Sequence, residues 1–238
     1  MPLRHPYALL LVVLAFCPAL VCGCAGRSAP GSASSAAVGS EQRLVDEATA
    51  LVQWFDANDP DGRLAFLLRE AGGVMVFPQM AKGAFIGGME GGRGVGLAKH
   101  GAWGWSRPAF FTFSDLSFGL QAGAMVTSAI LVFQDVDTFR MAVEGQWSMG
   151  ARFAWTLLNV GERGQSTVLT DDMGVVLFLR TMGAFVGSSI SGGGILPSAA
   201  ANAAWCGGAA TARDIFRHET CTTDGGDGLR AALFAAQY

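Results

Sequence analysis

The folded part of the chain opens with apolar positions at helical spacing. Between residues 41 and 57 apolar side chains recur every three or four positions, which predicts an amphipathic helix whose start Ser40 can cap. The Asn-Asp-Pro-Asp-Gly sequence at 58–62 ends that helix, because proline and glycine both interrupt helical backbone. A second short helix is expected over 63–70. These segments predict an N-terminal helical pair.

Beyond residue 72 the pattern changes to short apolar runs separated by glycine, which is typical of strands. Residues 85–89 and 95–99 are expected to pair across a turn at 90–93. Further strands are expected at 74–77, 103–113, 118–133, 149–158, 165–170, 174–180 and 184–190, with a bend at 192–194.

Short helices accompany these strands. Residues 135–143 are expected to be helical, with Asp135 or Asp137 at the N-terminus and Gly145 at the end. Residues 198–204 are expected to form a further helical stretch. The patterns together predict an α+β fold with a strongly curved, mainly antiparallel β-sheet or barrel-like core, the N-terminal helical pair and short peripheral helices.

The segment 82–123 is unusually rich in glycine and aromatic residues. Glycine weakens helices and strands alike, so this density indicates tight hairpins and close approach of backbones in a curved sheet. The aromatic side chains of the same segment would supply the core that the glycines cannot.

The composition fits a folded domain and narrows its partners. The chain has 238 residues, of which 51% are hydrophobic and 15% are charged, so it can bury a sizeable core. Its net charge of −3 argues against nucleic acid as a partner. It also argues against simple electrostatic adhesion to an anionic membrane, which needs a basic cluster.

Residues 1–24 read as a secretory leader, because the apolar stretch at 9–16 is too short to span a bilayer. The end of the leader, Val-Cys-Gly-Cys, resembles a lipoprotein processing box with Gly23 before the modified residue. That resemblance implies that Cys24 carries fatty acyl chains such as palmitate and is held at the outer membrane, facing the periplasm. An ordinary cleaved signal peptide with incidental cysteines is the alternative.

The search for catalytic, cofactor and metal sites finds no complete motif. The glycines at 92–96 do not complete a dinucleotide-binding or phosphate-binding loop. His100 and His218 lack metal-ligand spacing, and Ser106 lies in Gly-Trp-Ser-Arg-Pro, which is not a nucleophile elbow. We therefore expect no cofactor, no metal and no enzymatic activity.

Cys206 and Cys221 are the cysteines that remain after the leader. An oxidising compartment permits a disulfide between them, which would pin the tail at 221–238 to the domain. Two buried or free thiols are the alternative.

Two short motifs carry a family resemblance. The sequence Gly-Trp-Ser-Arg-Pro-Ala-Phe at 104–110, followed by Ser-Phe-Gly-Leu-Gln-Ala-Gly at 117–123, resembles the signature of the SYLF domain family. The resemblance implies a domain over 41–220. The Gly/Ser/Ala-rich composition of residues 25–40 predicts a flexible tether before it. The family-signature residues, which we expect to be structural, are Gly83, Gly104, Trp105, Ser106, Pro108, Phe118, Gly119, Gln121 and Gly123.

The resemblance also implies a function. SYLF domains are lipid-binding modules of bacterial envelopes and of eukaryotic cortical proteins, and some bind actin. It implies a non-enzymatic, membrane-tethered module whose partner is a membrane phospholipid. Basic residues of the signature block would contact the head group, namely Lys82, Arg93, Lys99 and Arg107. Arg152, Arg180 and Arg213 are further candidates. A scaffolding domain that binds an envelope protein is the alternative, followed by an envelope hydrolase.

Overall fold

Helices at both ends of the chain enclose long antiparallel strands. The computed structural model describes residues 30–84, 87–101, 104–149, 167–170, 173–218, 221 and 223–238. The helices are α1 (Pro30–Ala57), α2 (Arg63–Glu70), α3 (Val136–Val143), α4 (Ala199–Cys206), α5 (Ala212–His218) and α6 (Asp227–Ala235), with a 3-10 turn at Asp224–Gly226. The strands are β1 (Gly73–Ala84), β2 (Gly87–His100), β3 (Gly104–Trp105), β4 (Ala109–Phe133), β5 (Ser148–Met149), β6 (Thr167–Thr170) and β7 (Val175–Pro197). Within these ranges, none of the helices combines the length and the apolar character that crossing a bilayer requires.

The strands form nested hairpins. β1 and β2 are antiparallel neighbours, and β4 flanks both of them: residues 109–118 pair with β2, and residues 123–133 pair with β1. Because β1 and β2 run in opposite directions, the two halves of β4 must as well, so β4 reverses around residues 119–122. β7 pairs with β4 from Phe111 to Phe133 and therefore follows the same path outside it.

The sheet is open at its two sides. The first part of β7 pairs with β6, and its last part pairs with β5, while β3 adds to the end of β2. The predicted α+β class with a mainly antiparallel sheet is confirmed, and the sheet does not close into a barrel.

Several predicted strand boundaries are wrong. β4 is continuous through the predicted break at 114–115, and β7 is continuous from 175 to 197, through the predicted bend. The predicted strand at 165–170 is seen as β6, whereas residues 150–158 lie outside the described part. Long runs with internal glycines therefore form single strands here.

The turn predicted at 90–93 is also wrong. Gly91 and Gly92 lie inside β2 and pair with Ala81 and Met80, so they do not form a turn. β1 continues past Pro78 because its register to β2 shifts between Val76 and Gln79, and such a bulge accommodates proline. A Cβ atom on Gly92 would lie 2.4 Å from the carbonyl oxygen of Gln79, so the glycine serves close approach and not a turn.

Helices cover both faces of the sheet. Successive residues of a strand point to opposite faces. Phe110 packs edge-on against Trp205 of α4, with ring centroids 5.3 Å apart, while Phe111 stacks on Phe216 of α5 at 6.4 Å. α4 and α5 therefore lie on opposite faces, and α3 joins α5 through the contact of Phe139 with Phe216.

α1 is longer than predicted. It begins at Pro30 and not at residue 41, so Ser40 is an internal residue and residues 30–40 are helical where a flexible tether was expected; residues 25–29 lie outside the described part. Proline suits the first turn of a helix, and the alanines that follow favour helix. The predicted apolar stripe is buried as expected, at Leu44, Val45, Ala48, Leu51, Val52 and Phe55.

α3 begins and ends where the sequence predicts. The Asp135 carboxylate accepts a hydrogen bond from the Thr138 backbone N–H at 2.7 Å, which is the N-cap interaction. This bond lowers the pKa of Asp135, with a smaller contribution from the Thr138 hydroxyl. Gly145 follows with a positive φ of 73°.

Candidate functional site

A polar groove lies between α1 and the β1–β2 hairpin. It has a volume of about 350 Å³ and opens to solvent. Its lining residues are Ser40, Arg43, Leu44 and Glu47 of α1, Gln79 of β1 and Arg93 of β2. We call it the α1 groove. α1 contributes charges of both signs to the groove, and the hairpin contributes Arg93.

An ion pair holds Arg93, one of the lining residues, at the α1 groove. Arg93 donates to the carboxylate of Glu41, which is only 4% exposed, while the Arg93 side chain remains 45% exposed. A pair with one exposed partner contributes about 1 kcal/mol or less. Removing Arg93 would cost more than that, because the buried Glu41 carboxylate would lose its charged partner and keep the hydrogen bond from the Ser40 hydroxyl at 3.3 Å.

The rim of the groove carries charges of both signs. Arg43 is exposed, lines the groove and donates through Nε to the carbonyl oxygen of Gly39 at 3.3 Å. Glu47 is exposed one helical turn later, and in the described part of the chain no ion pair engages it. Two arginines and two carboxylates therefore meet at this site.

Lys99, a predicted head-group contact, is engaged by the protein itself. Its Nζ donates to the carbonyl oxygen of Leu68 at 2.9 Å and to Oε1 of Gln237 at 2.7 Å, and lies 4.5 Å from the ring centre of Trp105. Burial lowers the pKa of Lys99, and the nearby charge of Glu70 opposes this only in part. The ammonium group therefore joins α2, β2 and the C-terminus.

Arg107 has a similar internal role. Its Nη1 donates to the carbonyl oxygen of Thr223 at 2.5 Å, and its Nη2 lies 3.9 Å from the Asp224 carboxylate. The preceding Ser106 is fully buried, accepts from the Ala98 N–H at 2.9 Å and donates to the Arg107 carbonyl oxygen at 2.9 Å. These bonds fix the loop between β3 and β4 against β2 and the tail.

The other signature residues lie in or beside strands. A Cβ atom on Gly104 would be 2.9 Å from the carbonyl oxygen of His100, and Pro108 packs on Gly226 of the 3-10 turn. Trp105 accepts through its carbonyl oxygen from Arg230 of α6 at 2.9 Å. The remaining signature residues belong to β1 and β4 by backbone pairing, and their side chains lie outside the described part: Gly83, Phe118, Gly119, Gln121 and Gly123.

The remaining basic candidates are dispersed. The Lys82 side chain and all of Arg152 lie outside the described residues, as does Cys24. Arg180 lies over the Trp54 ring at 4.5 Å, and Arg213 pairs with Glu144. Of the basic residues predicted to contact a head group, Arg93 is the one whose described side chain lines the α1 groove.

A disulfide joins Cys206 at the end of α4 to Cys221, with Cα atoms 4.4 Å apart. Next to it, the Thr223 hydroxyl donates to the Trp205 carbonyl oxygen at 2.8 Å. The bridge therefore holds the segment before α6 against α4, where Arg107 contacts it.

Sequence reasoning missed three polar residues that the structure brings into key contacts. Arg43 and Gln79 line the α1 groove, and their meeting depends on packing between distant segments. Asn202 is fully buried and its Oδ1 accepts from the Phe110 N–H at 2.7 Å. A lone asparagine in an alanine-rich helix is a signal that could have identified Asn202 in advance.

No group of three or more His, Cys, Asp or Glu residues in the described part of the chain is arranged to hold a metal ion. The charged residues of the α1 groove are better suited to hydrogen bonds and ion pairs with a polar ligand.

Comparison with known proteins identifies the family. A family model described as Ysc84, Las17-binding protein actin regulator, matches residues 114–236. Searches of curated proteins and of solved structures find no match. Because the match spans just over half of the chain, this protein belongs to the Ysc84 family, which is the SYLF domain family that the motifs at 104–123 indicate.

Proposed function

We propose that the chain is a non-enzymatic phospholipid-binding module, held at a membrane of the cell envelope by an acylated Cys24. The head group binds in the α1 groove, and Arg43 and the exposed side of Arg93 donate to its phosphate. The outer membrane, with the domain facing the periplasm, is the proposed location.

The observation that carries the proposal is the groove itself. It combines guanidinium donors with a solvent-accessible opening, and guanidinium groups suit phosphate because they donate two parallel hydrogen bonds. α1, which supplies four of the lining residues, begins at Pro30, shortly after the proposed acylation site. A tethered chain would therefore keep the groove near the lipid surface.

The first test replaces a groove arginine without exposing a buried charge. Arg43→Gln removes a donor but leaves the Glu41–Arg93 pair intact, so we expect affinity for a soluble short-chain phospholipid to fall about five- to tenfold. Isothermal titration with the full-length chain, below the critical micelle concentration, measures this change.

Arg63→Gln is the matched control, because Arg63 is an exposed arginine that pairs with Asp61 away from the groove. Its affinity should equal that of the wild type. Equal losses in the two variants, or no binding of phospholipid by the wild type, would overturn the proposal. Mass spectrometry of the mature N-terminus tests the anchor, and an unmodified Cys24 would reject it.

A second function is favoured by the family description, which names the binding of a protein, Las17, and the regulation of actin. By analogy, this chain would bind a protein of the envelope. Crosslinking in cells that recovers one stoichiometric partner, from a chain that binds no lipid, would favour this function over the first.

A further inference from the structure

The charges of the α1 groove are balanced, and this balance indicates the net charge of the ligand that fits it. Arg43 and Arg93 are matched by Glu41 and Glu47, so the groove exerts no net attraction on an anion. An anion that captured Arg93 completely would also take the charged partner from the buried Glu41 carboxylate. A purely anionic head group is therefore poorly matched to this site.

The arrangement on α1 offers a second ligand contact. Arg43 and Glu47 are four residues apart and lie on one face of the helix, separated by about 6 Å along its axis. A phosphate and an amine that are two carbons apart can span this distance. The carboxylate of Glu47 has no ion-pair partner in the described part of the chain, so it can receive an ammonium group.

We propose that the α1 groove selects zwitterionic head groups of the phosphoethanolamine type. The phosphate contacts Arg43 and the exposed side of Arg93, the ammonium contacts Glu47, and the Glu41–Arg93 pair stays closed beneath them. This inference rests on the proposed function, because it names the ligand class of the same site.

Two soluble phosphodiesters separate the contribution of the ammonium group. Glycerophosphoethanolamine and glycerophosphoglycerol share the phosphodiester and differ in that only the first carries an ammonium. We expect the full-length chain to bind the first about three- to fivefold more tightly, the size of one solvent-accessible ion pair. Titration at fixed salt measures the ratio.

A variant identifies the residue responsible. Glu47→Gln should reduce the preference to about one, while Asp56→Asn, which removes an exposed carboxylate farther along α1, should leave it unchanged. Equal affinities of the wild type for the two compounds, or a preference for glycerophosphoglycerol, would overturn the inference. So would a preference that survives Glu47→Gln.

The same titrations distinguish this failure from failure of the proposed function. A dihexanoyl phosphatidylethanolamine should bind more tightly than glycerophosphoethanolamine if the ligand is a lipid. Equal binding of the two would overturn the lipid function and support a soluble zwitterion as ligand. Binding of dihexanoyl phosphatidylglycerol with the same affinity as the ethanolamine lipid would support the lipid function and overturn the selectivity.

Discussion

Gly94 and Gly228 differ in the space around their Cα atoms. A Cβ atom on Gly94 would lie 2.5 Å from the Phe77 ring and 2.6 Å from the Val76 carbonyl oxygen, whereas nothing lies within 4 Å of one on Gly228. The first glycine allows β1 and β2 to approach closely, and the second only adds backbone freedom in the first turn of α6.

The two substitutions to alanine should therefore have opposite signs. Gly94→Ala should lower the free energy of unfolding by about 1–3 kcal/mol through overpacking. Gly228→Ala should raise it by about 0.5–1 kcal/mol, because alanine favours helix. Urea unfolding followed by circular dichroism measures both, and a neutral Gly94→Ala would contradict the close-approach interpretation.

At the start of β4, the Asn202 side chain accepts a backbone hydrogen bond, from the Phe110 N–H, in the way a neighbouring strand would. Asn202→Ala leaves the buried Phe110 N–H without its acceptor, so we expect a loss of about 1–3 kcal/mol in the free energy of unfolding. Gln53→Ala is the control, since Gln53 is exposed on α1 and its replacement should cost less than about 0.5 kcal/mol. Similar urea midpoints for the two variants would count against the proposed role of Asn202.

At the scale of elements, the N-cap of α3 makes a pH-dependent contribution to the free energy of unfolding. The Thr138 N–H lowers the pKa of Asp135 below its ordinary value of 3.8. The folded state therefore holds the Asp135 proton less tightly than the unfolded state does. The resulting stabilisation is complete above pH 3.8 and disappears as the pH falls through the lower pKa of the folded state.

Asp135→Asn should remove this dependence, because asparagine caps a helix about as well as aspartate but does not titrate there. The urea midpoint of the wild type should fall toward or below that of the variant as pH is lowered from about 6 to about 3. Asp56→Asn should leave the wild-type dependence in place. Parallel pH profiles for the wild type and Asp135→Asn would contradict the capping role.

The sequence predicted elements whose bounds depend on neighbouring residues. It did not predict features that depend on contacts between distant segments. α3 has its cap, apolar face and terminating glycine within eleven residues of sequence, from Asp135 to Gly145. The reversal of β4 depends on β1 and β2 lying on either side of it. The glycines of β2 were misplaced in a turn because one residue type serves both turns and close packing.

At the scale of the whole molecule, the disulfide restrains the C-terminal segment. It closes a loop with a sequence separation of 15, for which chain entropy gives about 3 kcal/mol. We expect a reductant to lower the free energy of unfolding of the wild type by about this amount and not to affect a Cys206→Ser/Cys221→Ser variant. A thiol titration of denatured, unreduced protein that finds both thiols free would refute the bridge.

The α1 groove also depends on the packing of the whole molecule. Arg93 stands out in the sequence as a basic residue among glycines, but its partner Glu41 lies in a helix 52 residues away. Lys99 and Arg107 looked equivalent to Arg93 in the sequence, yet each is held by carbonyl oxygens of the tail or of α2. Which cation is available to a ligand is decided by tertiary packing.

The nested hairpins give the chain a natural order of assembly. Of the long strands, β1 and β2 leave the ribosome first, β4 can then wrap around them, and β7 pairs outside β4. β4 and β7 each emerge after the strands on which they pair, whereas the short β5 and β6 emerge before β7. The inner hairpins can therefore form during synthesis, without waiting for the C-terminus.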